Sequence, residues 1–219
     1  VWLGDFERID EWIRVVHGEA ILQEHLDDPA GLLVLLPHMG NWELFNVFFR
    51  RYGQMTALYQ PPRQGYMQKV MQEVRARHGN HMVPTTRSGL KQLYKTLGDG
   101  GTAVILPDQV PASGQFIPFF GHPALTDVLA SRLLKKTGAK ALGITMVRNE
   151  GGFFEAHVVA PDSAIYALDV VTAITAVNEL VQTCAEIAPK QYQWEYKRFR
   201  ERPAGSEKIY RFNKPSGHH

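Results

Sequence analysis

Six short aliphatic runs, at residues 32–37, 55–60, 81–85, 101–106, 140–148 and 153–160, alternate with segments of helical period and leave few architectures open to this chain. Each run has strand length and is rich in aliphatic or β-branched residues. Between them, Met67, Val70, Met71 and Val74, and then Leu90, Leu93, Tyr94 and Leu97, recur at i, i+3, i+4, i+7, which places each set on one helical face. Strands and helices in alternation predict an α/β layered domain. No internal repeat, low-complexity tract or linker divides the sequence, so residues 1–219 are expected to form a single domain, with 216–219 read as a tag remnant. With 44% hydrophobic residues the chain has enough apolar material for a sizeable core.

A formal net charge of +2 is too small to argue for nucleic acid. Lys and Arg cluster late, in KRFRERP and KIYRFNK, and most of these charges read as a solvated face; lipid phosphates are the alternative partner. The single cysteine, Cys184, excludes an internal disulfide and a Cys-rich metal site. It falls on the stripe Val170, Ile174, Val177, Val181, which predicts a buried thiol rather than a nucleophile. No run of 18 apolar residues is present, so the sequence as it stands is not expected to span a membrane. The opening VWLGDFERIDEW reads as the interior of something longer, with a membrane segment expected upstream.

The chemistry concentrates between Leu32 and Phe49, where an apolar strand runs into His38 and an acid, Glu43, follows five positions later. A hydroxyl is a poor nucleophile at neutral pH until a base takes its proton, and a histidine held by a carboxylate is the usual base. Pro37 and Gly40 predict a turn, and Asn41 is a good N-cap for a helix carrying Leu44, Phe45, Phe48 and Phe49. Glu43 then lies in the first helical turn, where the macrodipole favours a negative charge. The spacing alone is weak. With 9 His and 22 acids in 219 residues, chance supplies about one such pair. The chain has three: His122 and Asp127, and His157 and Asp162, are the others. Only His38 and Glu43 sit in strand, turn, Gly-Asn and helix in that order.

A second strand, Thr102 to Leu106, ends in Pro107, Asp108 and Gln109, and ligands of open α/β sheets gather at such strand ends. Asp108 is read either as binding an acceptor hydroxyl or a cationic partner, or as a turn residue. The following loop carries Phe116, Ile117, Phe119 and Phe120, which pack over the core or meet acyl chains or a membrane surface. The polar side of the predicted helix 64–79 carries Arg63, Lys69, Arg75 and Arg77, any of which would suit a phosphate if it faced a cleft. The serine-hydrolase elbow, the P-loop, the dinucleotide fingerprint and the H-E-x-x-H zinc motif are absent from the sequence.

HMGNWE at 38–43, Arg75 followed by Gly79, LPDQ at 106–109, PFFG at 118–121 with Thr126 after it, TGAK at 137–140 and PKQYQWEYKRF at 189–199 occur in this order. Together they resemble the bacterial lipid A biosynthesis acyltransferases, the lauroyl and myristoyl transferases of the lysophospholipid acyltransferase superfamily, from about Val15 to Arg202. The resemblance implies a mixed, mostly parallel sheet between helices, of the glycerol-3-phosphate acyltransferase type, with an acyl groove. It implies transfer of a fatty acyl group from a thioester, on acyl carrier protein or coenzyme A, to a hydroxyl of a lipid or glycolipid, with no cofactor and no metal. His38 would be the general base and Glu43 its orienting partner, with Asn41, Arg75, Asp108, Gln109, Phe120 and Thr126 shaping the substrate site. The family also implies lipopolysaccharide synthesis at the cytoplasmic face of the inner membrane, by a peripheral or anchored enzyme. The chain departs from the family pattern W-x-H-R-R-F, reading Trp194, Glu195, Tyr196, Lys197, Arg198, Phe199.

For the reaction, the expected oxyanion donors are backbone amides near Gly40 and Asn41, or the Arg75 side chain. Two other classes stay open: a thioester hydrolase that uses the same pair on water, and a non-catalytic module that binds anionic membranes through the FIPFF loop and the basic tail.

Overall fold

The computed structural model describes residues 6–59 and 80–210. The predicted helix at 64–79, and with it Arg75, lies outside the described residues. Nine strands are described: β1 (Ile13–His17), β2 (Leu32–Leu35), β3 (Met55–Tyr59), β4 (His81–Pro84), β5 (Thr102–Ile105), β6 (Gln115–Phe119), β7 (His122–Thr126), β8 (Lys140–Arg148) and β9 (Phe154–Val159). The α-helices among the described residues are α1 (Phe6–Asp10), α2 (Glu19–Asp27), α3 (Phe45–Phe48), α4 (Arg87–Gly98), α5 (Leu129–Thr137) and α6 (Val170–Ile187).

Seven strands form one sheet in the order β1-β9-β8-β2-β5-β3-β4. β8, β2, β5, β3 and β4 are mutually parallel, while β9 runs antiparallel to β8 and carries β1 parallel to itself. The fold is α/β with a mixed, mostly parallel sheet between helices, as expected. A strand buried on both faces needs apolar side chains at every position, and all four residues of β2 are buried. Alternate residues serve opposite layers. Leu32, Val34 and Leu36 pack with Phe45, Phe48, Phe49 and Leu22. Leu33 and Leu35 pack with Leu93 and Leu97 of α4, Leu133 of α5 and Val177 of α6.

Two expectations change in detail. The helix after Asn41 is broken into a 3-10 turn at Trp42–Leu44, the four-residue α3, and a second 3-10 turn at Phe49–Arg51. Its apolar face is nevertheless the expected one, with Leu44, Phe45, Phe48 and Phe49 all buried. The FIPFFG segment is a hairpin rather than a loop. Its prolines disguised it, because proline cannot donate to a ladder; in the hairpin Pro118 and Pro123 face each other. Ile117 and Phe119 point into the core and Phe116 points out, so alternation divides the cluster. The reversal uses Phe120 at φ 47 and Gly121 at φ 73, the pair of positive φ values of a type I′ turn.

Candidate active site

β2 and β5 are adjacent, parallel and paired Leu35 to Ile105. Each then leaves the sheet by the same step, Leu36-Pro37-His38 and Leu106-Pro107-Asp108. The Leu36 N–H still donates to the Ile105 carbonyl at 3.0 Å, so the register survives past the strand ends. His38 and Asp108 therefore meet. Nδ1 of His38 lies 2.7 Å from Oδ1 of Asp108, and the His38 backbone N–H donates to Oδ2 at 2.8 Å. One carboxylate thus fixes the ring and the backbone of the same residue. The Asp108 side chain is 2% exposed and that of His38 13%. An ionised carboxylate only accepts, so Nδ1 carries the proton and the lone pair is left on Nε2.

The turn after His38 is held by backbone contacts with β8 and the C-terminal segment. Gly40 N–H donates to Gln191 O and Asn41 N–H to Met146 O, both at 2.9 Å. Gly40 has φ 55, and a Cβ there would drive into the Met146 carbonyl. This corrects the expectation for the oxyanion: both amides are consumed within the fold, Asn41 by β8 and Gly40 by the C-terminal segment. Asn41 occupies the N-cap position with no side-chain capping bond, its backbone being fixed by Met146 instead.

Behind Asp108 lies a buried polar cluster. The Tyr192 hydroxyl bonds to Asp108, and burial followed by that negative charge holds the phenol above its ordinary range. Arg198 is buried and donates to the Leu125 carbonyl and to Thr126 Oγ1. Burial lowers its pKa, while Tyr192 and Asp108 act in the opposite sense. The Cys184 thiol is pushed up to about 12 by burial and then by Asp108, so it stays protonated and is no nucleophile. In front, a cavity of about 490 Å³ opens among the described residues. His38, Glu43, Gln109, Asp127 and Tyr196 give it polar groups, and Leu36, Met55, Ala57, Val104, Ile105 and Leu129 give it apolar wall. Its size is that of a small-molecule site.

A family model described as bacterial lipid A biosynthesis acyltransferase matches residues 1–201. The chain belongs to this family. It is 25% identical over 212 residues to the lipid A biosynthesis palmitoleoyltransferase of Escherichia coli, covering 95% of this chain and 68% of that protein. It is 26% identical over 217 residues to the lipid A biosynthesis lauroyltransferase of the same organism, covering 95% and 69%. The solved structure of the 1-acyl-sn-glycerophosphate (LPA) acyltransferase PlsC from Thermotoga maritima is similar at a TM-score of 0.48 and 11% identity, covering 84% of this chain and 80% of that one.

In this member of the lipid A acyltransferase family, Glu43 and Gln109 line the cavity with His38, but the carboxylate on Nδ1 belongs to Asp108. Asn41, Phe120 and Thr126 are engaged in the fold's own contacts and are not among the described cavity-lining residues. Phe120 packs on Phe119 and Trp194 and donates its N–H to Gln182. Thr126 is buried between Asn178 and Arg198. Both other His-acid pairs are drawn apart in role. Asp127 accepts from the Leu129 N–H while the His122 ring packs on Phe199, and Asp162 caps a 3-10 turn. Tyr192 and Arg198 were not singled out from the sequence as site residues. For Asp108 a signal existed in the matching endings Leu-Pro-His and Leu-Pro-Asp.

Proposed function

We propose that this protein transfers a fatty acyl group from an acyl thioester, on acyl carrier protein or coenzyme A, to a hydroxyl of a lipid A-type glycolipid at a membrane surface. The observation that carries the reading is the Asp108–His38 pair on the wall of a largely apolar cavity of about 490 Å³. His38 Nε2 takes the proton of the acceptor hydroxyl as its oxygen attacks the thioester carbonyl. The tetrahedral intermediate then expels the thiolate, and the imidazolium returns the proton to sulfur. The C–O bond formed replaces the C–S bond broken, and no redox partner or metal enters. Asp108 stabilises the imidazolium through Nδ1, and Glu43 faces the same cavity on the substrate side. The aliphatic wall takes the acyl chain. Arg75 is proposed to meet an acceptor phosphate, and exposed Phe116 and Trp194 to touch the bilayer.

The test supplies acyl thioesters of several lengths and total bacterial lipids, and reads by mass spectrometry which lipid gains an acyl group. Free fatty acid in place of an acylated lipid would mean a hydrolase. His38→Ala is expected to fold normally and to lose at least ~10²-fold in turnover, as for a general base. Ordinary turnover in that variant would remove His38 from the mechanism.

A further inference from the structure

His17, Glu155 and His157 lie on one side of the sheet at its β1 edge. In the parallel pair β1–β9, His17 is the register partner of His157. Glu155 stands two residues before His157 and so projects from the same face of β9. Nε2 of His17 is 3.0 Å from Oε2 of Glu155, and Nε2 of His157 is 3.8 Å from the same oxygen. The two imidazoles stack with centroids 4.3 Å apart, and one ligand atom from each of the three side chains lies within 4.8 Å of the others.

We propose that these three side chains form a binding site for a divalent transition metal of the zinc class, which ties the edge strand β1 to β9. Zinc bonds of about 2.0–2.1 Å in a tetrahedron place ligand atoms about 3.3 Å apart, between the two distances found here. Two imidazoles and one carboxylate are a donor set for zinc, copper or nickel rather than for calcium or magnesium.

The support around the three side chains is also that of a metal site. Asn149 Nδ2 donates to Glu155 Oε1 at 3.0 Å, which leaves Oε2 turned towards both rings. The His17 side chain is 49% exposed, which gives an ion access from solvent. The site is separate from the acyl-transfer centre, with β8 between it and the His38 turn.

The experiment is isothermal titration and thermal melting of EDTA-treated full chain with zinc chloride, repeated for His17→Ala, His157→Ala, Glu155→Gln and Asn149→Ala. Wild type is expected to gain a melting temperature that climbs with zinc. Asn149→Ala should bind about 10–100-fold more weakly, and each of the three ligand variants more weakly still. Cobalt substituted in wild type should give the visible bands of a tetrahedral ion, absent in His17→Ala, whose exposed side chain is not needed for folding. Equal zinc binding in wild type and all variants would assign the metal elsewhere, for instance to His218 and His219. That result, or no binding by wild type, overturns the proposal.

Discussion

Asp108 holds His38 by two bonds at once, and this explains how a histidine at a strand end keeps one tautomer. Asp108→Asn keeps the shape but removes the charge that stabilises an imidazolium, so it should lower kcat by at least ~10²-fold. Glu43→Gln leaves the Asp108 bond to Nδ1 in place and is expected to cost less; the ratio of the two kcat values measured on one acyl thioester checks the division of labour. A larger loss in Glu43→Gln would return the orienting role to Glu43. The residue identities were legible early, since His38 stood out at the end of an aliphatic run. The role of Asp108 was not, because a strand-end Asp serves equally as a turn residue until β2 and β5 are known to be neighbours. Arg198 was hidden for a similar reason. It sits in a run of charges that are mostly on the surface, and only packing shows that this one is buried against Thr126.

At the scale of elements, the turn after β2 depends on β8. Gly40→Ala would force a side chain into the Met146 carbonyl at a left-handed φ, and is expected to cost roughly 1–3 kcal/mol of stability. It should also lower turnover, since the same turn carries His38; a chemical denaturation curve beside an activity assay reads both effects. The β1–β9 edge makes a pH prediction. The His157 pKa is lowered from 6.5, by burial and then by His17, so the unfolded chain binds a proton more readily than the folded one. The stability it contributes is complete above about 6.5 and is lost as pH falls through the folded value. In EDTA, the drop in urea midpoint between about pH 7.5 and about pH 5.5 should shrink in His157→Gln. Six of the strands were visible as aliphatic runs. Three escaped: β1, which was not among the aliphatic runs, and β6 and β7, whose facing prolines and Phe-Gly turn at positive φ imitate a loop.

Across the whole molecule, the cavity is walled by the sheet ends of β3 and β5, the α3 segment and the start of α5. Ala57 lies on its wall as a small residue among larger aliphatic ones. Ala57→Phe should therefore shorten the preferred acyl chain, seen as a fall in turnover on long thioesters with short ones retained. Unchanged chain preference would place the acyl group elsewhere. No helix among the described residues is long and apolar enough to cross a membrane. What the sequence by itself determined was periodicity and punctuation: aliphatic runs of strand length, helical stripes, and His38 where a strand gives way to a turn. These are local properties, written in neighbouring residues. Which carboxylate meets that histidine was decided only by tertiary structure. Asp108 is distant in sequence, and it arrives at His38 because two parallel strands share a register and leave the sheet by the same Leu-Pro step.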